Sequence, residues 1–247
     1  MTARVLVFAE LDDALVRHAG TESVALLRRL EQDGATVILC SARTRAEIEE
    51  VQQDLGIRHP FVAESGSAAF VREHYFTFPI PCGRRVAGYH ALEFGKPYRH
   101  VVNQLRNVAA RVRIPIVTFS DLSVSQVAEE CQLSLLRARL AKLRNYTEYF
   151  RLAREDVLDR RRLFKALQRA GLVCVEGARH HRVGTSRAFT SATTALQNLY
   201  RQAGDQTGRP SAAPHLLHSI GSDLTEWARS IAYLVREGRA VRSGDHL

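Results

Sequence analysis

The chain has 247 residues, 45% of them hydrophobic, enough for one large core or two smaller ones. No apolar run reaches the length of a membrane span, and the first is too rich in acids to be a signal sequence. The formal net charge of +9 comes almost wholly from arginine, with lysine only at Lys96, Lys142 and Lys165. No nucleic-acid motif or aromatic-interleaved basic stripe accompanies that charge, so it points to a small anion before a nucleic acid. Cys40, Cys82, Cys131 and Cys174 are far apart and lack CxxC spacing. They read as small apolar residues in a reducing, cytoplasmic setting.

The first predicted element is a strand at Val5, Leu6, Val7 and Phe8, apolar on both faces as in a buried parallel sheet. It runs into Glu10, Asp12 and Asp13, which would emerge at the strand's C-terminal end, where open α/β sheets bind their ligands. A helix is expected over Thr21–Gln32, ended by Asp33 and Gly34, and a second strand over Ala35–Cys40. That strand opens into Ser41, Ala42, Arg43 and Thr44, where a helix begins. A hydroxyl facing a helix N-terminus suits phosphate, and Thr44 with Glu47 also has capping-box spacing. A short strand and a turn at Glu64-Ser65-Gly66-Ser67 occupy 57–70, and Pro79, Pro81 and Gly83 read as a hinge.

Beyond Gly83 the pattern predicts strands at 86–94, 114–119, 149–153 and 172–175 and helices at Tyr98–Val112, 123–131, 134–144 and 157–170. This mixture reads as an inserted α+β module. Adjacent His180 and His181 would point to opposite faces of a strand and cannot readily share one metal ion. A helix at 188–201, a strand at 215–220, the sequence GSDLTE at 221–226 and a helix at 227–237 complete the chain.

Glu10-Leu11-Asp12-Asp13-Ala14-Leu15 resembles the first motif of the haloacid dehalogenase (HAD) superfamily, Asp-x-Asp-Gly-Thr-Leu. Further stretches resemble, in order, one family within it, the mannosyl-3-phosphoglycerate phosphatases. They are CSARTRAEIEEVQQDLG, PFVAESGSAAF, Gly95-Lys96-Pro97-Tyr98, Ser120-Asp121-Leu122-Ser123 and the run AKLRNYTEYF at 141–150. The resemblance implies an α/β fold: a HAD-like Rossmannoid parallel-sheet core at 1–82 and 184–247 with an inserted C2B-type α+β cap at 83–183. It also implies roles. Glu10 stands at the nucleophile, Asp12 at the general acid/base, Ser41 at the phosphate-binding hydroxyl and Arg187 at the lysine that neutralises the phosphoryl group. Glu10, Asp12, Asp223 and Glu226 would hold Mg²⁺ if the protein is active. Arg43, Lys96, Arg144 and Tyr146 would bind a phosphorylated sugar or related anion.

The departures from the family pattern bear on activity. Glutamate replaces the nucleophilic aspartate, Arg187 replaces lysine, and Ser222 and Glu226 replace the two metal-motif acids. These changes lead to an anion-binding member with weakened or lost phosphohydrolase activity and no required cofactor. The alternatives are an active Mg²⁺-dependent sugar-phosphate phosphatase using Glu10 and Asp12, and a basic interaction protein.

Overall fold

The computed structural model describes residues 5–11, 21–81, 83–154, 156–185, 189–206 and 213–217. Strand β1 (Val5–Glu10) is the second strand of a seven-stranded sheet, flanked in parallel by β2 (Ala35–Cys40) and by the terminal strand β11 (Ala213–Leu217). Next come β3 (Phe61–Ala63), parallel to β2, and β4 (Ala68–Arg72), which runs back antiparallel. The strand order is β11-β1-β2-β3-β4-β6-β5, with β5 (Arg84–Val86) and β6 (Tyr89–Glu93) forming a terminal hairpin.

Alternate side chains of β1 feed two apolar layers. Val7 and Ala9 pack with Leu30 of helix α1 (Thr21–Gln32) and with Ile48, Val51 and Leu55 of α2 (Arg45–Leu55). Leu6 and Phe8 pack with Ala192, Leu196 and Leu199 of α7 (Phe189–Gln206). A strand buried on both faces has to be apolar throughout, which is why its first acid, Glu10, falls where the strand leaves the core.

The second sheet resembles a cap. It is antiparallel, in the order β7-β8-β10-β9: Ile116–Thr118, Glu148–Leu152, His181–Gly184 and Val173–Val175. One face packs on α3 (Tyr98–Val112) and α6 (Val157–Arg169) through Val101, Leu105, Phe150, Leu163, Leu167 and Val183. The other carries α4 (Val124–Cys131) and α5 (Leu135–Ala141) over a smaller cluster around Phe119 and Val127.

Three sequence expectations change. The single strand at 86–94 is a hairpin, turned by Ala87 and Gly88 at φ of 48° and 80°. Positive φ at both central residues is the mark of the type I′ turn, usually announced by Asn-Gly. This hairpin pairs with the larger sheet, Arg72 opposite Tyr89, so Gly83 does not mark the start of the second sheet's module. The helix expected over 134–144 stops at Ala141, because the following residues are drawn into the contacts described below. The expected elements at 218–237 lie outside the described residues.

Candidate active site at the strand ends

Glu10, Ser41 and the turn after β3 lie side by side at the C-terminal ends of three adjacent parallel strands. Glu10 is the register partner of Cys40, and Cys40 that of Val62. The Leu11 N–H donates to Cys40 O at 2.7 Å, the Ser41 N–H to Val62 O at 2.9 Å and the Ser65 N–H to Ser41 O at 2.8 Å, so the ladder continues into the loops. Glu10 is exposed at this edge while Leu11 is buried. Ser41 is buried, and its Oγ accepts from the Arg43 N–H at 3.1 Å and lies 3.5 Å from Leu11 O. The hydroxyl thus sits in the turn between β2 and α2. Burial, with Glu10 adding to it, pushes the Cys40 thiol well up, so the cysteine at this edge stays protonated.

The start of α2 is a complete capping box: the Glu47 N–H donates to Thr44 Oγ1 at 3.2 Å and the Thr44 N–H to Glu47 Oε2 at 2.8 Å. Thr44 also reaches the second sheet's module, its Oγ1 donating to Leu140 O at 3.0 Å.

Glu64 is the centre of the junction between the two sheets. Its carboxylate accepts from the N–H groups of Asn145 (2.8 Å), Tyr146 (3.1 Å) and Thr147 (2.7 Å) and from Thr147 Oγ1 (2.7 Å). Arg144 Nε lies 3.7 Å away, donates to Thr147 O at 3.0 Å, and Nη2 donates to Ala42 O at 2.8 Å. Burial opposes the Arg144 charge, but Glu64 and neighbouring acids more than offset it and hold the guanidinium protonated. Glu64 and Ser65 reach this position at positive φ, 46° and 57°. Gly95 and Gly184 sit on the two connections between the sheets. A Cβ on Gly95 would lie 2.9 Å from Ser67 Cβ, and one on Gly184 would lie 3.0 Å from Thr147 Cγ2.

Glu10 and Ser41 therefore come together as expected. Arg43 is half-buried beside them, its carbonyl accepting from the Glu64 N–H at 3.0 Å. Lys96 is exposed, its backbone N–H donating to Thr185 Oγ1 at 2.8 Å. Arg144 and Tyr146, read from the sequence as substrate-binding, are buried in the junction. The Tyr146 hydroxyl donates to Glu93 Oε1 at 2.6 Å, and burial with that bond raises its pKa. Binding substrate through either would require breaking these bonds. Asp12, Arg187, Asp223 and Glu226 lie outside the described residues, and among the described residues no three His, Cys, Asp or Glu side chains gather to hold a metal ion.

Two residues that hold this junction had no local sequence signal. Glu64 acts through residues some 80 positions away. Arg182 on β10 donates to Ser65 Oγ across the junction. His180 and His181 do part: His180 Nε2 meets Glu130 at 3.0 Å, whereas His181 packs edge-on against Phe150 and Phe164. A cleft of about 600 Å³ lined by Glu49, Gln52, Arg58, Arg72 and Tyr89 opens toward the other end of β4, and none of the candidate residues lines it.

No family model matches the chain. It is similar to the glucosyl-3-phosphoglycerate/mannosyl-3-phosphoglycerate phosphatase of Methanococcoides burtonii, 30% identical over 203 residues covering 80% of this chain and 73% of the relative. It is also similar to the mannosyl-3-phosphoglycerate phosphatase of Pyrococcus furiosus, 25% identical over 81% of this chain and 80% of that one. Among solved structures, a haloacid dehalogenase-like hydrolase from Bacteroides thetaiotaomicron superposes with a TM-score of 0.56 at 12% identity, covering 96% of this chain and all of that one. A HAD subclass IIB sugar phosphatase gives 0.52 at 9% identity, covering 92% and 91%. The structural likenesses carry the fold, which is HAD-like, and the sequence kinship carries the family: the chain belongs to the mannosyl-3-phosphoglycerate phosphatase family.

Proposed function

We propose that this protein binds a phosphorylated sugar, or a related anion, at the ends of β1, β2 and β3, and that its phosphohydrolase activity is weakened or lost. The observation that carries the reading is the exposed Glu10 carboxylate at the end of β1, one strand from the buried Ser41. Substrate class is carried over from relatives whose names specify phosphoglycerate-linked sugars. Ser41, in the turn before α2, faces the end of a helix whose dipole favours an anion.

The argument for weakened turnover is geometric. A carboxylate nucleophile must attack phosphorus in line, and the extra methylene of glutamate displaces it. A misplacement of about 1 Å can cost on the order of 10²-fold in rate. Arginine at position 187 keeps a positive charge but presents a planar fork where a compact ammonium is expected. Ser222 and Glu226 alter the acids that would hold Mg²⁺, an ion that demands near-ideal octahedral oxygen ligands. Groups that act as a unit lose function together, so these changes compound.

The test is phosphate release from a panel of sugar phosphates in Mg²⁺ buffer by wild type, Glu10→Gln and Glu10→Asp, with thermal shifts run in parallel. The reading expects wild-type turnover near that of Glu10→Gln, a higher rate for Glu10→Asp, and ligand-induced stabilisation of wild type. Brisk wild-type hydrolysis abolished by Glu10→Gln would instead establish a working phosphatase with Glu10 as nucleophile. Neither turnover nor stabilisation would remove the binding site as well.

A further inference from the structure

The cleft of about 600 Å³ lies at the end of the larger sheet away from Glu10, between α2 and the hairpin. Glu49, Gln52, Gln53 and Gly56 follow helical spacing along α2 and its cap and form one wall. Arg58, in the loop before β3, and the register partners Arg72 and Tyr89 form the rest. Gln53 comes about 13 Å of helix beyond the Thr44 cap, so the cleft is separate from the strand-end site.

The charges around this cleft do not balance. Arg45 and Arg72 both bring a guanidinium to the Tyr89 ring, 5.9 Å and 5.0 Å from its centroid. Arg45 is met by the carboxylate of Glu49, the acid in the cleft wall. Arg72 and Arg58 have no acid within ion-pair distance among the described residues. Arg28 adds a further guanidinium at the rim, where a Cβ on Gly56 would lie 3.8 Å from its Nη2. Burial foremost, and then the charge of Glu49, push the Tyr89 hydroxyl up to about 12, so the tyrosine adds no negative charge.

Buried polar atoms in the lining residues are unmet as well. Gln52 is fully buried, and its Nε2 donates to His59 O at 2.8 Å while its Oε1 has no partner. The buried Nε of Arg72 has none either. Buried polar groups are nearly always hydrogen-bonded, so two such gaps along one cleft point to a polar ligand.

We propose that this cleft is a second ligand site and that it takes a diphosphate group. Guanidinium forks match phosphate oxygens in pairs, and Arg28, Arg58 and Arg72 together suit an anion with several such pairs. The volume lies within the span of small-molecule sites, roughly 300–1,000 Å³, which leaves room for a nucleoside joined to the diphosphate. Its hydrogen-bond donors would face the wall that carries Gln52.

The test follows thermal shift and amide hydrogen exchange in metal-free buffer of fixed ionic strength, with inorganic phosphate, pyrophosphate and adenosine diphosphate as probes. Pyrophosphate should bind about tenfold more tightly than phosphate and slow exchange within 49–58 and 70–90. Tighter binding of adenosine diphosphate would identify a nucleoside diphosphate as the ligand, and equal binding the free ion; either supports the diphosphate site. Arg58→Met and Arg72→Met should each weaken pyrophosphate about tenfold. The exposed Arg161, changed to Met, removes the same charge elsewhere and should leave binding intact. Arg58 is exposed in a loop, so its variant carries the test even if Arg72→Met fails to fold. The proposal is overturned if no probe binds, if phosphate binds as tightly as pyrophosphate, or if the folded variants of Arg58 and Arg72 keep wild-type affinity. It is equally overturned if Arg161→Met loses binding, or if exchange slows only within 5–11 and 41–44, which would place the anion at the strand ends instead.

Discussion

Arg144 Nε lies 3.7 Å from Glu64 Oε2, with both side chains only 1% exposed, and this pair joins the loop after α5 to the turn after β3. The carboxylate holds three consecutive backbone N–H groups, so a single acid of the larger sheet sets the path of residues 145–147.

Breaking this pair leaves a buried charge without its partner. Arg144→Ala should lower unfolding stability by about 3 kcal/mol or more, and Glu64→Ala by a similar amount. The double variant should cost clearly less than the sum, since each single change already forfeits the shared interaction. Urea denaturation of all four proteins measures the coupling, and simple additivity would show that the two residues do not act together.

The connection at Gly95 leaves no room for a methyl group, and the one at Gly184 would admit it only if Thr147 gave way. Gly95→Ala brings Cβ to 2.9 Å from Ser67 Cβ and should cost about 1–3 kcal/mol in thermal or urea unfolding. Removing the obstructing side chain with Ser67→Gly should recover part of that loss. Absence of any rescue would locate the strain elsewhere.

The hairpin turn offers a change in the other direction. Ala87 sits at φ of 48°, where a Cβ is unfavourable. Ala87→Gly or Ala87→Asn should stabilise the protein by about 0.5–1 kcal/mol, read as a raised unfolding midpoint without a change in denaturant slope.

Acid should act through Glu130. The Arg151 hydrogen bonds hold its carboxyl down to about 2 from an ordinary 4.5, while His180, whose protonation burial disfavours, adds a further bond. A depressed carboxylate contributes stability that is complete above its unfolded pKa and disappears as pH falls through the folded value. The stability gap between wild type and Glu130→Gln should therefore be constant above about pH 5 and close toward pH 2. A gap independent of pH would assign the effect to packing alone.

The sequence by itself determined whatever depends on neighbouring residues. The bounds of α1, β2 and α3 coincide with the expected ones, since apolar periodicity and the Asp33-Gly34 stop are local. The Thr44–Glu47 capping box was legible for the same reason, and Glu10 at the exit of β1 follows from an apolar run meeting an acid. Tertiary structure decided the rest. Arg144 and Tyr146 became junction residues, Arg182 came to the strand edge, and the hairpin at 84–93 joined the larger sheet. Each depends on partners far along the chain. An ion pair spanning 80 residues leaves no periodicity to read, and an arginine's role is set by whether folding supplies it with an acid.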